Sequence, residues 1–332
     1  MQLRHRLHRW LHSEYWPSWT YYLPLAPLFL YHVIRNRDVG FYAHANPAME
    51  TGGLSLIHKW SMYQMLPKSW IPKTIPIEDP QTSDVPSEAN QLQPPFIIKP
   101  SYGCRGRGVQ EAHSIKDVQE KIKTYHEPIL IQEKCTYPME AGIFIARLPN
   151  EPTHITGIVS KTGIEVIGDG KRSLLELLLQ NPRYSKHVQT LAEEVDLSRV
   201  PMPSEHVSLS TIGNHARGAT FVDESFRIDD ALEGFMNRLM NEIQGFNYGR
   251  FDIRFTSWEL LKQGKEFCII ELNGANSEPA HMYDPKHSYF FAIKELYRHW
   301  NLLGKISKAS KVKNKRVGLS TSLRMLFNGG RI

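Results

Sequence analysis

The chain has 332 residues, of which 41% are hydrophobic and 22% charged, with 40 lysines and arginines against 34 aspartates and glutamates. This composition excludes a disordered chain, a collagen and a coiled coil, and the length predicts two lobes at roughly 150 residues per domain. The three cysteines, Cys104, Cys135 and Cys268, form no CxxC pair, which argues against a disulfide framework or a structural zinc site and fits a reducing compartment.

The positive charge lies at the two ends of the chain. Residues 1–12 hold three arginines and no acid, residues 296–332 hold nine lysines or arginines and no acid, and residues 13–295 therefore keep 28 basic against 34 acidic side chains. Such ends are usually solvated tails, and the alternative is contact with an anionic membrane surface or an acidic partner. No nucleic-acid motif accompanies the charge, so nucleic acid is not expected as a partner.

The N-terminal segment 1–54 is rich in tryptophan, tyrosine and proline. Its apolar stretch, residues 23–34, is well short of the roughly 20 residues that a membrane-spanning helix needs. Charged residues follow directly at Arg35 and Arg37, where a signal peptide would have its cleavage region. We therefore expect a cytoplasmic protein.

Regular elements follow a proline-rich stretch. Residues 76–95 contain five prolines and predict an exposed linker or long loop. Beyond it, short apolar runs alternate with helical patterns, which predicts an α+β or α/β protein. The predicted strands are 94–100, 127–135, 142–148, 249–255 and 266–273, and the predicted helices are 114–125, with Ser114 as its N-cap, 172–180 and 229–244.

A glycine-rich loop follows the first of these strands. The strand ends in Lys99, and residues 101–109 contain Gly103, Gly106 and Gly108. Glycines let backbone N–H groups approach phosphate oxygens, and a lysine adds a point charge. The loop is not a Walker loop, because GxxxxGK[ST] is absent. Taken alone, it is as consistent with a hairpin turn as with a phosphate site.

The last two predicted strands carry the clearest site pattern. Since side chains alternate across a strand, Arg250, Asp252 and Arg254 share a face opposite Phe251, Ile253 and Phe255, and Glu271 and Asn273 share a face opposite Ile270 and Leu272. If the strands pair, the oxygens of Asp252, Glu271 and Asn273 converge, which suits Mg²⁺ held together with substrate phosphates. A surface ion-pair face is the alternative.

The order of these motifs resembles the ATP-grasp superfamily, near D-alanine–D-alanine ligase, glutathione synthetase and cyanophycin synthetase. The resemblance spans roughly residues 55–300. It comprises Lys59 with Pro72-Lys-Thr74, Ile97-Ile-Lys99-Pro with the glycine loop, Ile131-Gln-Glu133-Lys-Cys, Val166-Ile-Gly-Asp-Gly-Lys171, Asn214-His-Ala-Arg217-Gly, Gly249-Arg-Phe-Asp252 and Glu271-Leu-Asn273. His58 stands where the family usually has an aspartate, and residues 1–54 are too few for its usual leading α/β domain.

The resemblance implies an ATP-grasp fold of class α+β, in which two α/β lobes grip ATP between them after a truncated, atypical N-terminal segment. The implied segments are 1–54, a first lobe at 55–146 with the linker 76–95 and the loop 101–109, a second lobe with the metal site at 147–302, and a basic tail at 303–332. The implied cofactor-binding residues are Lys59, Lys99, Gly103, Gly106, Gly108, Glu133, Lys134, Cys135 and Glu140; the metal ligands are Asp252, Glu271 and Asn273; the catalytic residues are Arg250 and Arg217.

The resemblance also implies an activity. A carboxylate would attack the γ-phosphate of ATP to form an acyl phosphate, and an amine would then form an amide, with ATP and Mg²⁺ or Mn²⁺ as cofactors. Arg250 would stabilise the tetrahedral oxyanion. The alternatives are an ATP-grasp kinase, which leaves phosphate on its substrate, and a nucleotide-binding scaffold without catalysis. The substrates would be a small-molecule or peptide carboxylate and an amine.

Overall fold

The structure is a computed structural model that describes residues 16–54, 58–103, 106–181, 184–193, 195–209 and 220–310. Arg217, the basic residues of 1–12 and the tail beyond residue 310 lie outside the described residues. The helices are α1 Trp19–Tyr22, α2 Ala26–Asn36, α3 Lys59–Gln64, α4 Ile115–Ile122, α5 Leu174–Gln180, α6 Val188–Ala192, α7 Asp230–Glu242, α8 Trp258–Lys262 and α9 Tyr289–Ala309.

The described residues form eleven strands. They are β1 Thr74–Ile77, β2 Phe96–Pro100, β3 Gln110–Ala112, β4 Ile129–Glu133, β5 Met139–Ala146, β6 His154–Thr162, β7 Glu165–Ile167, β8 His206–Ser208, β9 Thr220–Asp223, β10 Tyr248–Phe255 and β11 Phe267–Asn273. Mixed helix and strand content confirms the predicted α+β class.

The chain divides into two compact units that are discontinuous in sequence. The smaller unit comprises 1–24, 159–224 and 280–295, and the larger comprises 25–158, 225–279 and 296–332. These units divide the chain differently from the predicted segments 1–54, 55–146, 147–302 and 303–332, which stay predictions.

The first sheet of the larger unit has four antiparallel strands in the order β1-β4-β2-β3. Helix α4 begins where predicted, because the Ser114 side chain accepts a hydrogen bond from the amide of Asp117 and so satisfies one of the unpaired N–H groups of the first turn. Its apolar face buries Val118 and Ile122 against the sheet, in one core with Ile98 and Ile131.

The second sheet of the larger unit contains β11, β10, β5 and the first part of β6 in that order. Strand β10 pairs antiparallel with both β11 and β5. Phe251, Ile253 and Phe255 are fully buried in the largest core, together with apolar residues of α7. The predicted alternation of β10 is therefore correct, and its polar residues occupy the opposite face.

Helix α9 extends into the segment 303–332 that the resemblance implies as a basic tail. It continues past residue 302 to Ala309, and Leu303 and Ile306 are buried in a core with Phe41 and Phe144. Apolar residues spaced three apart on one helix face explain why this part of the chain is helical and packed.

The linker prediction needs a smaller correction. Residues 76–95 are mostly loop and mostly exposed, but Ile77 ends strand β1 and is buried with Leu92 in the core of the first sheet. Ala89 lies in a short 3₁₀ turn and is also buried. The prolines interrupt helices and strands, but parts of this segment still pack in the core.

In the smaller unit, residues 159–162 of β6 pair antiparallel with β9, and β7 pairs with β8. Helix α5 starts at a capping box in which the Ser173 side chain and the Glu176 side chain each bind the other's backbone amide. Leu174 and Leu178 then pack in a small core with Ile164. In the part of the chain that the structure describes, no helix combines the length and the apolar character that crossing a membrane requires.

Candidate nucleotide site

The acidic strands meet as the alternation predicts. Asp252 of β10 lies directly opposite Glu271 of β11, and Arg250 lies opposite Asn273. Directly opposed residues of an antiparallel pair bring their side chains together. Asn273 Nδ2 is 3.5 Å from Oδ2 of Asp252. These two predicted metal ligands are therefore in contact with each other.

Arg250 is bound to Asp252 in a two-point ion pair. Its Nε donates to Oδ1 at 2.7 Å and its Nη2 donates to Oδ2 at 2.9 Å, and the carboxylate is 4% exposed. Burial alone would lower the pKa of Arg250, but the charges of Asp252, Glu271 and Glu140 outweigh it and raise that pKa. The arginine therefore remains charged and holds Asp252 in one orientation.

The ion pair with Asp252 gives Arg250 a structural role in addition to the oxyanion stabilisation that the resemblance implies. Two of its three nitrogens are used on Asp252, and Nη1 makes no hydrogen bond to the described residues. One edge of the guanidinium thus orients the carboxylate, and the N–H groups of Nη1 are not used in this ion pair.

Lys59 links the glycine loop to the acidic strand. It opens helix α3, and its Nζ donates to the carbonyl oxygen of Gly103 at 2.5 Å and lies 3.8 Å from Oε1 of Glu271. The backbone amide of Lys59 also donates to the carbonyl of Ser101 at 2.9 Å. The structure thus brings together the first lysine, the loop and the second acidic residue.

Lys99 is buried, and two side chains hold its ammonium. Nζ donates to the hydroxyl of Tyr63 at 2.7 Å and to Oε1 of Gln132 at 2.9 Å, and the residue is 7% exposed. Gln132 in turn donates to the hydroxyl of Thr74 at 2.6 Å. Burial lowers the pKa of Lys99 to about 8, against the raising effect of the charge on Glu271.

Strand β11 contains an irregularity that the alternation did not predict. Asp252 pairs with Glu271, whereas the next residue, Ile253, pairs with Ile269. The register shift leaves Ile270 without an opposing residue, as in a β-bulge. Ile269 and Leu272 are therefore the buried residues of the core, and the expectation that Ile270 shares the buried face with Leu272 was wrong.

The predicted adenine segment lies at the end of β4. Glu133 Oε1 accepts from the amide of Gln93 at 2.9 Å, and Lys134 Nζ is 2.7 Å from Oε2 of Glu111. The carbonyl of Cys135 accepts from Nη1 of Arg254 at 3.1 Å. This last contact joins the segment to β10, next to the acidic pair.

Cys135 also pairs with the buried thiol of Cys268 on β11. Their thiol–thiol hydrogen bond, more than any other interaction, lowers the pKa of Cys135 to about 7 and raises that of Cys268. Glu140, the predicted ribose carboxylate, lies on β5 opposite Arg254. Its charge also contributes to the raised pKa of Arg250, so Glu140 lies within electrostatic reach of the acidic pair.

The glycines of the loop have different roles. Gly103 provides the carbonyl that Lys59 binds. Gly106 and Gly108 both have φ near +68°, a conformation that glycine adopts at no steric cost. A Cβ at Gly108 would lie 2.9 Å from Cγ of Pro100, so this glycine is required by the turn itself. Cys104 and Arg105 lie outside the described residues.

The acidic residues suit a divalent cation that is shared with phosphates. Among the described residues, no group of three His, Cys, Asp or Glu side chains forms a metal cage of its own. Mg²⁺, however, commonly takes only one or two carboxylates from the protein and completes its shell with water and substrate phosphates. The carboxylates of Asp252 and Glu271 and the side-chain carbonyl oxygen of Asn273 are oxygen donors of this kind, so they fit such an ion.

Sequence reasoning missed Tyr63, and it quoted Gln132 and Thr74 within motifs without giving either of them a role. Gln132 had a visible signal, because it is a polar residue directly after the apolar run 129–131 of strand β4. Tyr63 had a weaker one, because it follows Lys59 by four residues and so shares its helix face. Nothing in the local pattern, however, shows that Tyr63 reaches Lys99.

No protein-family model matches the chain, and no curated protein matches it either. Solved structures do. The bifunctional glutathione synthetase of Pasteurella multocida is 13% identical with a TM-score of 0.41, and the match covers 68% of this chain and 33% of that protein. D-alanine–D-alanine ligase of Bacillus anthracis is 13% identical with a TM-score of 0.41, and the match covers 86% and 73%.

The D-Ala:D-Ser ligase of Enterococcus faecalis is 11% identical with a TM-score of 0.42, and the match covers 78% of this chain and 62% of the ligase. This chain thus spans about a third of the glutathione synthetase and less than two thirds of the D-Ala:D-Ser ligase.

Proposed function

We propose that this protein is an ATP-dependent ligase of the ATP-grasp type, which activates a carboxylate as an acyl phosphate and joins it to an amine. The observation that carries the proposal is the double contact of Lys59, which binds the carbonyl of Gly103 and approaches the carboxylate of Glu271. A lysine between a glycine loop and an acidic strand pair supports this proposal, because phosphoryl transfer depends on cations and metal ligands positioned around the phosphates.

The proposed reaction has two steps, and both involve negatively charged groups. A carboxylate oxygen attacks the γ-phosphorus, the bond from that phosphorus to the β-phosphate oxygen breaks, and ADP leaves. The amine then attacks the carbonyl carbon, loses a proton and displaces phosphate. Phosphoryl transfer depends on positioning and charge neutralisation more than on covalent catalysis, and Lys59 and Lys99 provide two cations for the triphosphate.

Asp252, Glu271 and Asn273 are the residues that would hold Mg²⁺ or Mn²⁺. When bound, the ion supplies further charge neutralisation at the phosphate oxygens. Nη1 of Arg250 would donate to the oxyanion that forms when the amine attacks the acyl phosphate. The roles proposed for Arg217 and for an adenine contact at Glu133, Lys134 and Cys135 rest on the resemblance.

The test is a release assay in which ATP, Mg²⁺ and a panel of amino acids and short peptides are supplied, with mass spectrometry of the products. A ligase yields ADP, free phosphate and an amide. Phosphate retained on the substrate would instead identify a kinase, and the absence of turnover with intact ATP binding would indicate a scaffold.

The residue assignment is tested separately with Asp252→Asn and Glu271→Gln. Each is expected to lower turnover at saturating Mg²⁺ by on the order of 10²-fold, because a carboxylate next to the phosphates is lost. Glu242→Gln, at the exposed end of α7, is the matched control and should turn over normally. Normal turnover in both site variants would remove the metal assignment.

A further inference from the structure

Tyr63 connects strand β11, which carries Glu271, with Lys99 of strand β2. It lies in helix α3 and is 1% exposed. Its hydroxyl donates to the carbonyl oxygen of Ile270 at 2.6 Å and accepts from Nζ of Lys99 at 2.7 Å. A single hydroxyl can make both bonds, because it has one hydrogen to donate and two lone pairs.

The bond to Ile270 is made where strand β11 is irregular. Ile270 is the residue that the register shift leaves without an opposing residue on β10. A buried polar group without a partner is costly, and the Tyr63 hydroxyl supplies a donor to the carbonyl. Tyr63 therefore attaches helix α3 to β11 at the residue immediately before Glu271.

The bond to Lys99 is one of two that direct the ammonium. The other acceptor is Gln132 Oε1 at 2.9 Å, and Gln132 is itself held by Thr74. A lysine ammonium has three N–H donors, so one donor remains beyond these two bonds. Fixing the long lysine side chain before a ligand arrives removes part of the entropy that binding would otherwise cost.

We propose that Tyr63 is a positioning residue, whose hydroxyl holds the Lys99 ammonium in a fixed relation to strand β11 so that the remaining N–H is directed to a nucleotide phosphate. This inference rests on the proposed function, since it assigns Lys99 to the phosphates. Helix α3 then orders both lysines, because Lys59 binds the loop one turn before Tyr63 binds Lys99.

The test is Tyr63→Phe, which removes the hydroxyl and keeps the ring. The probe is the non-hydrolysable ATP analogue AMP-PNP with Mg²⁺, titrated calorimetrically. We expect affinity to fall about tenfold, the size of effect that follows when one hydrogen bond to a charged group is lost. Unchanged affinity in folded protein would overturn the inference.

Tyr248→Phe is the matched control. Tyr248 has the same 1% exposure in the same unit, and its hydroxyl is 3.1 Å from Nδ1 of His299. This variant should lose stability and keep its affinity for AMP-PNP. If it weakens binding as much as Tyr63→Phe does, the effect comes from general loss of packing and the inference fails.

A double-mutant cycle separates this inference from the proposed function. If Tyr63 acts through Lys99, Tyr63→Phe should have no further effect on affinity in a Lys99→Met background, whereas additive losses would overturn the inference. Unchanged affinity in Lys99→Met alone would contradict the phosphate role of Lys99. A loss in Lys99→Met with none in Tyr63→Phe would overturn only the role of Tyr63.

Protein folding is checked by circular dichroism in each case. Should Tyr63→Phe fail to fold, Tyr63→His provides the second variant, because its shorter ring cannot reach both Ile270 and Lys99. The same tenfold loss is expected there, and full affinity would overturn the inference.

Discussion

A Cβ on residue 249 would lie 2.1 Å from the carbonyl oxygen of Asn273. The glycine of the Gly249-Arg-Phe-Asp252 motif is thus required by the close approach of β11, whose last residue carries the amide of the proposed cation site.

We therefore expect Gly249→Ala to destabilise the protein by about 3 kcal/mol, since the added methyl group cannot be accommodated without moving β11. Thermal denaturation followed by circular dichroism measures the change. Gly234→Ala is the control, because its Cβ would be 3.7 Å from the nearest atom, the Arg238 side chain, in the middle of α7. That variant should gain about 0.5–1 kcal/mol. Equal stability of the two variants would contradict the close approach.

Lys59→Met should weaken the binding of AMP-PNP by at least about tenfold, because it removes a cation that lies between the loop and Glu271. Calorimetric titration gives the affinity. Lys121→Met is a close control: Lys121 also donates to a backbone carbonyl, that of Glu111, and pairs with a carboxylate, Asp117, but on helix α4. Similar losses in both variants would show that the effect is not specific to the site.

Nucleotide affinity should depend on pH through Lys99. Its pKa is lowered to about 8 by burial, so the ammonium loses its charge as the pH rises through 8. We expect the affinity for AMP-PNP to decline above pH 8, by at most about tenfold per pH unit. Lys99→Arg should abolish this decline, because a guanidinium stays charged. A decline that persists in Lys99→Arg would assign the pH effect to another group.

The same shift affects stability with a defined sign. Between about pH 8 and the ordinary lysine value of 10.5, the unfolded chain holds a proton on Lys99 that the folded chain does not. The unfolded state then binds more protons, so the Lys99 contribution to the free energy of unfolding rises with pH across this window. Urea denaturation at pH 7.5 and 9.5, compared between the wild type and Lys99→Met, measures the difference.

Cys135 should be the most reactive thiol among the described residues. The hydrogen bond from Cys268 lowers its pKa to about 7, and it is partly exposed whereas Cys268 is buried. Alkylation by iodoacetamide, followed by peptide mass spectrometry, should increase as the pH rises from 6 to 8, because the thiolate is the nucleophile. Cys268→Ser should alter this profile. If Cys135 lies at the adenine, AMP-PNP protects it, and unprotected alkylation at saturating AMP-PNP would contradict that placement.

Much of the local architecture could be predicted because it depends on short-range patterns. The alternation of Phe251, Ile253 and Phe255 determined which face of β10 is buried, and Ser114 determined where α4 begins. These are properties of residues close together in the chain, and hydrophobic periodicity and capping chemistry determine them directly.

Only the tertiary structure decided how the site is held. The contact of Tyr63 with Ile270 joins residues 207 positions apart, and it depends on how helix α3 packs on the edge strand β11. The contact of Lys59 with Gly103 likewise depends on which elements pack together. Sequence periodicity specifies which face a residue occupies, but it carries no information on which distant side chain satisfies a buried polar group, and the packed chain alone determines that.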